Sequence, residues 1–454
     1  MFFNISLISL FPLVKKDHTF YVAILCLFFL FGLISLRWLP PINICGYKVK
    51  TVDMFSDIEK EKKPLSTTAI PKVKPKVEIS CPKGQTCIED YKENISALSN
   101  FFKSLQDIKV GKKVRIAFFG DSFIEGDVMC GDFRDLLQEK FGGEGVGIVP
   151  MTSAVSQFRQ TIKEDYKGFK SYDLVHNAKE KLPYPPFGYC SIPGENNYAN
   201  FYSTKFSLRT QKFSEIRILY QSNKEINVNI NANNFTQNIL LPQAYNIQTQ
   251  KIELGSTEKV KLSFSPNAGT YLYGISFEGG QGIYVDNFSL RGNSGTALLT
   301  SKKEMHQALN QIQDYSLVIL QYGINAMNAE TTNWDWYIRI MNKVIQEIKE
   351  LYPQSDILLL GIPDRSHKVN GEYKTMSTVT KMIEVQRTIA AENKIAFWNV
   401  YQAMGGENSM VEFVKAKPSK ANLDYTHLNF LGGKEVANLL YKSLIFDYEK
   451  HKTE

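Results

Sequence analysis

The sequence predicts an α/β protein: a three-layer domain built on a parallel sheet, interrupted by an all-β sandwich and preceded by an N-terminal membrane anchor. Three observations predict it. Five short, nearly continuous apolar runs are separated by helical periodicity, as in parallel strands covered on both faces. Between the first and second of these runs, residues 155–282 read as β-prone segments separated by Asn, Gly and Pro, with almost no helical period. Near the start, Phe20–Leu36 (FYVAILCLFFLFGLISL) carries no charge.

The apolar segment comes first. Its 17 residues lie at the short end for a bilayer-spanning helix. Lys15 and Lys16 precede it and Arg37 alone follows closely, which by the positive-inside tendency keeps the N-terminus cytoplasmic and exports the rest. A cleaved signal peptide is the alternative. Against it, the run exceeds a usual signal core and is followed by Arg37-Trp38-Leu39-Pro40-Pro41 rather than a small-x-small site. Residues 42–80 read as a tether, with Pro64, Pro71 and Pro75 among lysines and little to bury. Cys81 and Cys87 bracket CPKGQTC, a loop able to close as a disulfide in an oxidising compartment; a zinc site is the competing reading, weakened by the lack of a nearby His. The expected divisions are 1–41 (anchor), 42–80 (linker), 81–154 and 283–454 (the α/β domain in two parts) and 155–282 (the β insert).

In the α/β part, Ile95, Leu98, Phe101, Phe102 and Leu105 recur at helical spacing. The five strands are Val114–Phe119, Ile283–Leu290, Ser316–Tyr322, Asp356–Gly361 and the segment IAFWNV. Tyr337, Ile340, Met341, Val344, Ile345, Ile348 and Leu351 mark one face of an amphipathic helix, and a last helix covers about Gly433 to Tyr448. In the insert, FSLRT, IRILYQ, INVNINANNF, YNIQTQKIEL, VKLSFS and TYLYGISFEG carry the strand pattern.

Composition excludes several classes. At 43% hydrophobic and 22% charged, the chain is neither disordered nor a many-span membrane protein. A net charge of +7, without a dense basic cluster interleaved with aromatics, gives no case for nucleic acid. No phosphate loop, dinucleotide fingerprint or metal-ligand spacing stands out, so no cofactor is expected.

Functional residues in a parallel sheet lie just beyond the C-terminal ends of its strands. Ser122 (GDSF), Gly295 (GNSG) and Asn325 (YGIN) follow the first three strands, and Asp424 and His427 (DYTH) precede the last helix. A serine hydroxyl attacks well only when a base takes its proton, and His does so near neutral pH. A carboxylate on the far side of the imidazole fixes its tautomer, and one turn delivers both Asp424 and His427. The oxyanion formed on attack needs fixed donors: a Gly N–H, an Asn side chain and the Ser122 N–H.

GDS after the first strand, Gly after the second, G-x-N after the third and D-x-x-H before the last helix resemble the four signature blocks of the SGNH (GDSL-type) hydrolases, a flavodoxin-like three-layer family. The match is ordered and covers 114–130 and 283–440. The resemblance implies Ser122 as nucleophile, Asp424 and His427 as the rest of the triad, and Gly295 and Asn325 as oxyanion donors. Gly292 is the rival to Gly295, which is preferred because the family pattern is a Gly following Ser or a similar small residue. An SGNH domain split after its first block by a β module resembles the peptidoglycan O-acetylesterases of bacterial envelopes, whose module resembles carbohydrate-binding domains. This implies a serine esterase acting on O-acetyl groups of an acylated envelope polysaccharide, held on the periplasmic side of a membrane. Polysaccharide O-acetyltransferases use the same triad, so transfer stays an alternative, as does a non-catalytic carbohydrate-binding protein.

Blander readings stand beside each residue. Ser122 is a good helix cap, and Asn325 a good loop residue. Glu125 and Asp127, close to Ser122, suggest a paired-carboxylate glycosidase. Arg365 reads as a structural ion pair or a substrate contact, and Tyr198, Tyr202 and Tyr271 as core packing or sugar stacking. His176, His306, His367 and His451 fall in no constellation.

Overall fold

The computed structural model describes residues 19–35, 42–44, 47–49, 81–233 and 235–453. The chain divides into two compact units, Met1–Thr68 and Ala69–Glu454. In the first, the expected anchor is helical over Thr19–Ser35, with a short hairpin of Ile42–Ile44 and Tyr47–Val49 after it. Seventeen residues at 1.5 Å each reach about 25 Å, short of a hydrocarbon core of about 30 Å. No helix among the described residues is long and apolar enough to cross a membrane, so the spanning helix expected at Phe20–Leu36 is not supported. Lys15, Lys16, Arg37, Cys45 and most of the expected tether lie outside the described residues.

The second unit is built on a six-stranded sheet. Its order is Gly282–Ser289, Lys113–Gly120, Tyr315–Gln321, Asp356–Leu360, Ala396–Trp398 and Ile88–Asp90. The first five are parallel and are the five apolar runs of the sequence, in spatial order 2-1-3-4-5. Burial on both faces explains why their sequences do not alternate. The sixth strand, antiparallel at the edge, is not legible in advance: only three residues long, it exists by pairing with Ala396–Trp398. The Cys81–Cys87 disulfide closes the loop before it, and Thr86 O there accepts bonds from Trp398 Nε1 at 3.1 Å and Ser443 Oγ at 2.6 Å.

Helices cover the sheet as the periodicity predicts. In Asp335–Leu351 every residue of the predicted face is buried except Ile340, which is half-buried. The first helix runs over Ser99–Asp107, burying Leu98, Phe101, Phe102 and Leu105 but leaving Ile95 exposed outside it. The last helix is Phe430–Thr453, beginning before the predicted Gly433 because Asn429 caps it: Asn429 Oδ1 accepts the N–H of Leu431 at 3.0 Å and of Gly432 at 3.2 Å.

The β-prone stretch forms eight antiparallel strands with a core of their own, including Phe201, Ile218, Val228, Leu262 and Phe277. Two separate sheets are expected of a sandwich; here all eight strands share one hydrogen-bonded network, joined through the long strand Tyr189–Ser203. The network also takes in Glu144–Pro150, upstream of residue 155, by pairing with Thr270–Gly279. Four glycines give Glu144–Pro150 and its approach no strand signature; at Gly145 a Cβ would meet Phe277 O at 2.3 Å. Buried ion pairs tie this sheet to the parallel one. Glu278 accepts from Lys113 at 2.7 Å and Arg115 at 2.8 Å, and their positive charges hold its carboxyl at about 2 against the opposing effect of burial.

Candidate active site

The strand Lys113–Gly120 is where the chain changes direction across the sheet: the next strand lies on one side of it and the third on the other. Ser289 and Gln321 both pair with Gly120, so the segments following all three strands open at one place. That crevice is the expected ligand position in an open parallel sheet. Ser122 lies there, half-buried, on the turn after Gly120.

Ser122 Oγ is 2.8 Å from His427 Nε2, and His427 Nδ1 is 2.7 Å from Asp424 Oδ2. With Nδ1–H donating to the carboxylate, Nε2 is left to accept the serine proton. The segment carrying both residues is fixed locally. Asp424 Oδ1 accepts the N–H of Thr426 at 2.9 Å and of His427 at 3.0 Å, and Asn422 N–H donates to His427 O at 2.8 Å. Burial works to raise the Asp424 pKa, but the backbone and side-chain bonds from His427 outweigh it and hold the carboxyl below its ordinary value. The arm is open to solvent: the Asp424 side chain is 49% exposed and that of His427 33%.

The oxyanion donors differ from expectation. Gly295 is buried, and its N–H is already donated to Asn293 Oδ1 at 2.9 Å; it caps the short helix Thr296–Thr300 from a φ of 97°. Its predicted role is not met in this arrangement: the N–H is committed to Asn293 and would serve an oxyanion only by giving up that bond. Gly292 is exposed, and neither its N–H nor that of Ser122 donates to an acceptor among the described residues. Gly292, the rival, is the block-two glycine with a free donor. Asn325 is in the crevice, but both Nδ2 hydrogens are engaged, with Asp121 Oδ2 and Asn293 O, each at 3.1 Å. It serves an oxyanion only by exchanging one of these bonds. Its loop rests on Gly323 (φ 136°), where a Cβ would meet Ile362 Cγ2 at 2.7 Å.

Two further residues shape the site. Asn293 bonds both Gly295 and Asn325; its place inside the block-two segment was the available signal. Asp121 is fully buried. Burial raises its pKa to about 7, although bonds from Phe123 N–H and Asn325 pull the other way. Because the folded value lies above the ordinary 3.8, the stability linked to its proton is full below that pH and is lost as pH rises to about 7. Asp121→Asn should therefore flatten the fall in stability between pH 4 and 7, read as melting temperature against pH beside the parent. An unchanged profile contradicts this.

The competing readings resolve on geometry. Asp127 is buried, 3.1 Å from Arg134 and 2.7 Å from Asn287; burial raises its pKa, but Arg134 and Arg159 hold it well below the carboxylate range. Glu125 is ion-paired with Arg291. Both acids are held by arginines, so a glycosidase pair finds no support here. Arg365 makes no ion pair among the described residues; its Nη1 holds the carbonyls of Ile324 and Met327, both at 3.2 Å, bracing the Asn325 loop. Tyr198 and Tyr202 carry Lys261 and Lys259 over their rings, and Tyr271 packs at the edge of the α/β core. His306 is buried on Leu298 O, which burial reflects in a pKa of about 4; His176 pairs with Asp173. His451 lies against Phe102, and His367 sits on a surface hairpin.

No sequence-family model matches the chain, and no curated protein matches it by sequence. Among solved structures, one titled a peptidoglycan O-acetylesterase in action aligns over 80% of this chain and 99% of its own, at 21% identity and a TM-score of 0.65. The chain shares that esterase's fold. The alignment spans far more than the parallel sheet, and the resemblance to SGNH hydrolases thus holds at the level of architecture. Acetylxylan esterases, AlAXEase and Axe2 of Geobacillus stearothermophilus, align over 36% and 37% of this chain and 81% and 75% of theirs, at 17% and 20% identity and TM-scores of 0.28.

Proposed function

We propose that this chain is a serine esterase that removes O-acetyl groups from an envelope polysaccharide such as peptidoglycan. The observation that carries the proposal is the relay Ser122 Oγ–His427 Nε2 at 2.8 Å and His427 Nδ1–Asp424 Oδ2 at 2.7 Å, at the switch point of the sheet. The shared fold with a solved peptidoglycan O-acetylesterase supports the substrate class.

In this reading Ser122 Oγ attacks the ester carbonyl as its proton passes to His427 Nε2. Asp424 stabilises the imidazolium. The N–H groups of Ser122 and Gly292, with Asn325 after exchange of one bond, receive the oxyanion. Collapse breaks the bond to the sugar oxygen, which takes the proton from His427 and leaves acetyl-Ser122. Water then attacks that ester, again giving its proton to His427, and acetate leaves as Ser122 recovers its hydrogen. The test is acetate release from acetylated peptidoglycan and from acetylated xylan by the chain from Cys81 onward. Serine-dependent release from peptidoglycan is the expected result; release from xylan alone moves the substrate, and no release from either defeats the proposal.

Membrane attachment with the catalytic unit on the periplasmic side belongs to the same proposal. The Thr19–Ser35 helix exposes Phe28, Phe29 and Phe31, which favours burial in lipid or in another apolar surface. The full chain should sediment with membranes and resist carbonate extraction, whereas the chain from Cys81 onward should be released. Full release of the full chain by carbonate would refute the attachment.

A further inference from the structure

The hairpin of Ser366–Val369 and Glu372–Thr375 takes no part in the relay, yet it is built against it. Its turn, Asn370-Gly371, has positive φ at both residues (51° and 89°), the tight two-residue turn that suits paired strands. Its base is tied down: Thr375 Oγ1 donates to buried Asp364 at 2.8 Å, and Ser366 N–H donates to Tyr425 O at 3.0 Å. Tyr425 stands between Asp424 and His427, in the left-handed region at φ 55° that bulky residues seldom adopt. Its ring lies on that of Tyr373 in the hairpin, centroids 3.6 Å apart and planes within 6°.

With one face covered by Tyr425, Tyr373 is still 39% exposed. Since Tyr425 covers one face of the ring, whatever part of the exposed surface belongs to the ring lies on its other face and its rim. The pair is a two-ring slab, rigid through stacking and through the Ser366 bond, open on its outer side and adjoining the base and carboxylate of the relay. Flat rings with an open face match the C–H faces of pyranose rings, which offer apolar surface while their hydroxyls stay in water.

We propose that Tyr373 is a sugar-binding platform: a pyranose of the acylated glycan, next to the one carrying the ester, stacks on its outer face. This rests on the esterase reading above for its substrate but not for its binding step. The neighbouring ring's affinity for the platform holds the ester at Ser122. It matters for polymers and not for small esters, which have no second ring.

Two measurements separate the two ideas. The first compares KM for acetylated peptidoglycan and for 4-nitrophenyl acetate in the parent, Tyr373→Ala and Tyr373→Phe. Tyr373→Ala should raise the polymer KM relative to the small-ester KM by roughly five- to tenfold, and Tyr373→Phe should restore the parent ratio. A loss shared equally by both substrates, mainly in kcat, would mean that the stack only steadies the Asp424–His427 segment, and would overturn the proposal. The second measures binding to acetylated peptidoglycan without turnover, in the Ser122→Ala background. Weaker binding on adding Tyr373→Ala, restored by Tyr373→Phe, supports the platform even if the parent releases no acetate, in which case only the esterase reading fails. Equal binding with and without the ring overturns the platform whatever the activity.

Discussion

Ser122→Ala should lower kcat for acetyl ester hydrolysis by at least about a thousandfold, because it removes the hydroxyl bonded to His427 Nε2. His427→Ala should cost about as much, and the double variant little more than either single one, since the two act as a unit. Asp424→Ala should cost less, by roughly ten- to a hundredfold relative to either of those losses. Its side chain is half exposed, so water can partly replace it at Nδ1, whereas the deeply buried carboxylates of enclosed triads have no such substitute. The measurement is initial acetate release with each variant's folding checked by its melting curve. Additive losses for Ser122 and His427 would mean that they do not work on the same proton.

Gly433→Ala should destabilise the fold by about 3 kcal/mol or more, although alanine is ordinarily the better helix former. Gly433 lies in the first turn of the helix Phe430–Thr453, and a Cβ there would fall 1.7 Å from Val128 O. The obstacle is backbone, so no side-chain rotation relieves it. Either the helix moves, with the Asp424–His427 segment that leads into it, or the Ser122–Val128 segment does, so the two halves of the relay shift against each other. Activity should therefore fall along with stability. Chemical denaturation gives the stability change, and acetate release on the folded fraction gives the second. A variant as stable as the parent would show that the helix start can shift freely. Gly432, beside it, is similarly closed in by Lys420 O at 2.0 Å.

These two positions illustrate how unevenly the site is written in the chain. Ser122, Asp424 and His427 are legible because the chemistry demands those residue types and because local rules place them. A turn after an apolar strand puts Ser122 at the sheet's carboxyl edge, and a spacing of three lets Asp424 bond the His427 ring and backbone together. The five parallel strands are legible for a similar reason, as burial on both faces leaves continuous apolar runs. Helix faces follow from the 3.6-residue period.

What the sequence could not decide depends on partners distant along the chain. Whether Gly292 or Gly295 keeps a free N–H depends on where the Asn293 side chain points, and motif spacing carries no information about that. The commitment of Asn325 to Asp121 and Asn293 likewise exists only once three strand ends meet at Gly120. Glu144–Pro150 lacks a strand pattern because its glycines serve close backbone approach, and only its partner Thr270–Gly279 makes it a strand. The Tyr373–Tyr425 stack joins residues about fifty positions apart through a hairpin that the sequence does not announce. By itself the sequence determined the parallel-sheet architecture, the presence of a β-rich insert and which Ser, His and Asp to look for, since periodicity and residue chemistry are local. The tertiary structure decided which donors are free, which carboxylates are neutralised and what flanks the relay, since hydrogen bonds and burial are properties of the assembled neighbourhood.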